Sequence, residues 1–272
     1  MTPALTPTLL AEGFCFGEGP RWRDGLLWFS DMLGEAAHTV SLRGTLTTIP
    51  LPGHRPSGLG FGPDGALLIV STAARQVLRY DGESLRVAAD LGDLAPADLG
   101  DMVIDGRGRA YVGSQARQGG VIIRVDPDGS ARVVAGDLEF PNGMAILPDG
   151  ATFVVAESTA RRLSAYTLDD GILTGRRVFA DGLSGPPDGV AVDANGGVWT
   201  ALTLAHEFAR ITDGGTVTDR IDIGERIAIA CALDDDERTL FLVSTTEAYP
   251  ERLIGTTLSQ VHRVELDGAH RV

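Results

Sequence analysis

Short apolar runs alternate with tight turns along this chain, and the alternation itself repeats. Each copy opens on a turn and enters a run of Val, Ile, Leu and small residues. It then reverses at an Asp-Gly or similar turn and returns through a second apolar run ending in small polar residues. The copies open at Glu18, Ser57, Gly100, Asn142, Asp188 and about Ala230, at spacings of 39 to 46 residues. Asp-Gly and Asn-Gly between apolar runs are the strongest short-range hairpin signals. They recur at Asp64-Gly65, Asp149-Gly150 and Asn195-Gly196. Weaker outer strands are visible at residues 76–80, 121–125 and 162–166. A period in the forties with this content predicts an all-β fold, a six-bladed β-propeller with four-stranded blades. Residues 260–266 are expected to pair with residues 8–11, closing the ring and removing its open edges. The repeat leaves no linker, so residues 1–272 read as a single domain. Equivalent positions of all blades then converge on one axis.

Composition narrows the chemistry. Net charge is −14, which argues against binding a phosphate backbone or an anionic membrane surface. Every cationic side chain besides His is Arg, so lysine Schiff-base chemistry and a P-loop are excluded. Cys15 and Cys231 lie far apart in apolar contexts and read as buried thiols. The first residues, MTPALTPTLL, lack a basic stretch and a long apolar core, so neither a signal peptide nor a membrane span is expected, and the chain reads as cytoplasmic.

The residues opening the six innermost strands surround the axis at one end. Three of them, Glu18, Asn142 and Asp188, carry hard oxygen donors. Such a set suits Ca²⁺, Mg²⁺, Mn²⁺ or Zn²⁺, with water completing the shell. Asn occurs only at 142 and 195, and Asn195 is accounted for by its turn. Singly, Asn142-Gly143 and Asp188-Gly189 are equally well read as turn residues; in register with Glu18, the shared cation site is the stronger reading.

The segments Glu18-Gly-Pro-Arg-Trp, Phe140-Pro-Asn-Gly-Met and Pro187-Asp-Gly-Val resemble the motifs of the SMP-30/gluconolactonase/LRE family, in order and over essentially the whole chain. The resemblance implies a six-bladed propeller holding one divalent cation, Ca²⁺ first among the candidates, with Glu18, Asn142 and Asp188 as its protein ligands. It also implies hydrolysis of small lactones, with the cation polarising the carbonyl and Asp188 activating water. The partner expected is a small molecule; the oligomeric state is left open. No G-x-S-x-G elbow is present, and His206-Glu207-Phe-Ala-Arg210 departs from H-E-x-x-H at its last position.

The chain also departs from the family pattern. Gly100 stands where sugar-lactone hydrolases usually carry Asn before the third-blade Asp, and Asp98 where they often carry Arg. A less polar or differently shaped substrate is the expectation. Two rival readings follow: a metal-dependent isomerase or cyclase on a small oxygenated metabolite, and a non-catalytic calcium-binding propeller. Substrate contacts are assigned to His206, Asp98, Asp101 and Arg117. His206 and Arg117 lie in two connections that read as unusually long, residues 203–210 and 114–120. Trp22, Trp28 and Trp199 are assigned to packing between blades.

Overall fold

Among the described residues, 24 strands form six antiparallel four-stranded sheets, the blades of a six-bladed β-propeller. The computed structural model describes residues 5–247, 249 and 252–266. The innermost strands are Gly17–Arg23, Pro56–Phe61, Leu99–Ile104, Pro141–Ile146, Pro187–Val192 and Ile227–Leu233. Blades one to five are each a run of four consecutive strands. Blade six takes its outermost strand, Thr8–Phe14, from the other end of the chain: Thr8 lies opposite Arg263 and Phe14 opposite Ser259. The ring therefore closes by the pairing expected from the sequence.

The turns follow from residue chemistry. In blade two the Gly65 N–H donates to the Gly62 carbonyl at 2.9 Å, and the Gly62 N–H to the Ala66 carbonyl at 2.9 Å. Gly65 sits at φ +84°, a conformation that only glycine enters without strain. The outermost strands, such as Leu46–Pro50 and Leu85–Asp90, are largely exposed. With little apolar face to bury, they leave no alternation for a sequence reading to find.

Large side chains fill the spaces between blades. Trp22 of blade one stacks on Phe241 of blade six with ring centroids 5.0 Å apart, and Trp28 meets Phe61 of blade two edge-on at 5.3 Å. Trp199 is fully buried in the cluster that joins blades five and six. Both cysteines are free, but only Cys231 is buried; Cys15 is half-buried, because it lies in the crossing from the outer strand of blade six to blade one.

Each of the first five innermost strands carries a register shift near its start, for example between Pro141 and Met144 and between Pro187 and Val190. Such a bulge breaks the in–out alternation and re-aims the residues within it. In blade six the shift lies between Ala228 and Ala230. Asp188 precedes by five residues Asp193, whose N–H bonds the Gly197 carbonyl; the matching bond from Asp234 to Thr239 makes Ile229 the equivalent residue. The axial position of blade six is thus one residue earlier than the sequence suggested.

Candidate metal centre and pocket

Glu18, Ser57, Gly100, Asn142, Asp188 and Ile229 occupy the same place in the six innermost strands. A cavity of about 670 Å³ opens at this end of the axis, and Glu18, Asn142 and Asp188 all line it. Glu18 is 8% exposed, Asn142 9% and Asp188 7%, so the donors sit at the base of the cavity and not on its rim. Neighbouring inner strands are tied just beside them. The Ser30 hydroxyl donates to the Ser57 carbonyl at 2.7 Å, and the Ser158 hydroxyl to the Pro187 carbonyl at 2.7 Å.

One residue further along, the strands approach too closely for side chains. A Cβ on Gly58 would lie 2.5 Å from the Met102 nitrogen, and one on Gly143 would lie 2.4 Å from the Asp188 carbonyl oxygen. The equivalent place in blade three holds Asp101, 4% exposed. Its Oδ1 accepts from Arg21 Nη2 at 2.9 Å and from the Met102 N–H at 2.8 Å. Asp101 is therefore absent from the cavity lining. The substrate contact assigned to it from sequence is not what its position offers; it is a buried charge beneath the floor, anchored by Arg21.

Three carboxylates so disposed act on one another. Burial, then the charges of Asp188 and Asp101, push the Glu18 carboxyl well above the ordinary range. Burial, then the charge of Asp101, push Asp188 up to about 8, against a lowering hydrogen bond from Asn142. Asp188 Oδ1 is buried without any hydrogen-bond partner. A buried carboxylate oxygen left unpaired beside a second acid suits a cation as its partner. No three His, Cys, Asp or Glu side chains among the described residues form an ion-holding group by themselves. The set that fits is two carboxylates plus the Asn142 amide, in keeping with a hard divalent ion that retains water.

The remaining assignments divide. Arg117 lines the cavity and is exposed. Asp98 does not line it; its exposed carboxylate points to Arg75, 3.8 Å away. His206 does not line it either. At φ +58° it caps a short 3₁₀ turn, Thr203–Ala205, and its Nδ1 meets the Arg226 carbonyl at 2.8 Å. Residues 203–210 are not one long loop, because Glu207–Ile211 is already a strand. What reaches the cavity from that turn is Thr203 and Leu204.

Gln115 was not singled out from sequence, although it lies in the 114–120 connection that was. Its Nε2 donates to Asn142 Oδ1 at 3.1 Å. A Cβ built on Gly100 would fall 2.2 Å from that same Nε2. Gly100 thus leaves room that the Gln115 side chain fills, and the amide that appeared lost from blade three is supplied by the end of the neighbouring strand.

A family model described as SMP-30/Gluconolactonase/LRE-like region matches residues 16–246. The chain belongs to that family. Among curated relatives of this SMP-30/gluconolactonase/LRE-like chain is a 6-deoxy-6-sulfogluconolactonase of Pseudomonas putida, 30% identical over 244 residues, covering 85% of this chain and 84% of that one. A pentonolactonase of Haloferax volcanii is 28% identical and covers 80% and 78%. Among solved structures, regucalcin of Agrobacterium tumefaciens, described as a calcium-binding protein, superposes with a TM-score of 0.82 at 25% identity, covering 97% of this chain and 96% of that one.

Proposed function

We propose that this propeller is a divalent-metal-dependent hydrolase of small lactones or related cyclic esters, with Glu18, Asn142 and Asp188 as the cation's protein ligands. The observation that carries this reading is the buried Asp188 Oδ1, unpaired at the base of a cavity that Glu18 and Asn142 share. The lactonase names of relatives that span most of the chain support the reaction class.

A divalent cation held there supplies Lewis-acid polarisation of the ester carbonyl and compensates the oxyanion that develops. The chain's own residues do the rest. The Asp188 carboxylate takes a proton from the attacking water as the water oxygen bonds to the carbonyl carbon. The ring C–O bond then breaks, and the departing alkoxide takes that proton back from Asp188, giving the hydroxy acid. Asn142 steadies the Asp188 carboxyl by hydrogen bonding, while Gln115 fixes which way the Asn142 amide faces. Gln115 keeps a second N–H for substrate. Arg21 holds Asp101 beneath the floor, so that the third negative charge is partly compensated.

The test is ion content together with turnover on a lactone panel for the natural chain, Asp188→Ala and Asn142→Ala. Both substitutions should remove ion binding and turnover while the circular dichroism of the propeller persists. Full ion content and turnover in both variants would overturn the site assignment. Ion binding with no turnover on any lactone would leave the calcium-binding reading instead.

A further inference from the structure

The cavity is chemically lopsided, and its two sides come from different arcs of the ring. Blades two, three and four contribute Ser57, Gln115, Arg117 and Asn142, with Phe140 the one large apolar side chain on that arc. Blades six and one contribute Ile227, Ile229, Phe16 and Met32, and the blade-five turn adds Leu204; the polar groups on this side are Glu18 at the base, Thr203 and Tyr249. At the position where blades one, four and five carry the oxygen donors, blade six carries Ile229. Leu204, 58% exposed at the mouth, presents a large apolar side chain to water beside this wall.

From this division we infer that the substrate is a lactone bearing a hydrocarbon substituent, seated with the substituent against the apolar arc of blades five, six and one. The inference rests on the lactone-hydrolase reading above and narrows its substrate class. The physical argument is one of matching. A lactone carbonyl brought over Asp188 and Asn142 has its ring set on the axis, so ring substituents must reach outward toward the walls. On the polar arc, Gln115 and Arg117 provide donors for one or two oxygens. On the other arc, a hydroxylated lactone would press hydroxyls against Ile227, Ile229, Phe16 and Met32, where their hydrogen bonds to water are lost and not replaced. An alkyl or aryl substituent gains there instead, roughly fourfold per buried methylene. Exposed apolar surface at a cavity mouth is likewise of use to an apolar ligand.

The experiment compares kcat/KM on the natural chain, supplied with Ca²⁺, Mg²⁺, Mn²⁺ or Zn²⁺. The probes are δ-lactones with an alkyl chain of increasing length on the carbon bearing the ring oxygen, and glucono-δ-lactone. The expected result is a rise of roughly fourfold per methylene over the first few carbons, with the gluconolactone value at least about tenfold below that of the best alkyl lactone. Ile229→Asn should flatten the chain-length series and narrow the gap to gluconolactone; its thermal melt reports whether it folds, and the series on the natural chain stands without it. Turnover that is flat with chain length and favours gluconolactone would overturn the substrate class alone. Absence of turnover on every lactone would overturn the hydrolase reading and this inference with it.

Discussion

Two buried acids, one on the axis and one in blade four, show what separates a structural carboxylate from one prepared for a ligand. Glu157 ends the strand Thr152–Glu157 and is fully buried. Burial pushes its carboxyl up, but hydrogen bonds from the Ser164 hydroxyl, the Glu139 N–H and Arg176 outweigh this and hold it below the ordinary value. Arg162 adds a further contact at 3.1 Å. Asp188 is almost as buried, yet one oxygen is unpaired, its charged neighbours are acids, and its carboxyl is pushed up to about 8. Burial is common to both. What differs is whether the fold itself supplies the counter-charge. Around Glu157 it does; at Asp188 it does not.

The contrast can be broken most severely by removing each acid in turn. Asp188→Ala should reduce lactone turnover about a thousandfold, the scale of losing a positioned acid–base group, while chemical denaturation of the ion-free protein changes little or shows a gain. Glu157→Ala should do the reverse. It leaves two guanidinium groups without their shared acceptor and should cost about 3–5 kcal/mol in denaturation, with affinity for the cation retained.

A pH series sharpens the same comparison. Glu18 and Asp188 are acids whose folded pKa is raised, so the folded state binds their protons more tightly than the unfolded chain does. That contribution to stability is fully present below the unfolded value near pH 4 and is lost as pH rises through about 8. The melting temperature of ion-free protein should therefore fall between pH 5 and pH 8 more steeply than that of Asp188→Asn. Added Ca²⁺ should raise it more at pH 8 than at pH 5, since the ligands must be deprotonated to bind. The reverse order would contradict the account of the floor. A smaller effect is expected from Gln115→Ala. With the Asn142 amide no longer fixed, KM should rise by roughly threefold to tenfold with fold stability almost unchanged, as read by steady-state kinetics and thermal melts.

The legible and illegible parts of the sequence divide on physical lines. The hairpins could be read because Asp-Gly turns and buried apolar runs are local signals, and the closure of the ring because residues 8–11 and 260–266 lacked partners otherwise. Glu18, Asn142 and Asp188 could be grouped because the repeat puts them in register. Side-chain direction could not be read. His206 looked like a group for the cavity, but a left-handed backbone conformation turns it to the Arg226 carbonyl. Asp98 lies two residues before Gly100 but outside the bulge, and faces Arg75. Asp101 follows Gly100 within the bulge and so drops one layer below the floor. Gln115 escaped notice because its importance lies in the space left by Gly100, a relation between two strands that no local pattern encodes. Ile229 was missed by one residue because blade six turns through residues 234–239 without the Asp-Gly pair that marks the register in blades one, two and four.

The most direct test of the central claim is a crystal structure of the protein equilibrated with Ca²⁺, using anomalous scattering to locate the ion. The account predicts a single axial site with oxygens of Glu18, Asn142 and Asp188 at about 2.3–2.6 Å from it. Calcium bound elsewhere, with Asp188 Oδ1 facing only water or protein, would contradict it.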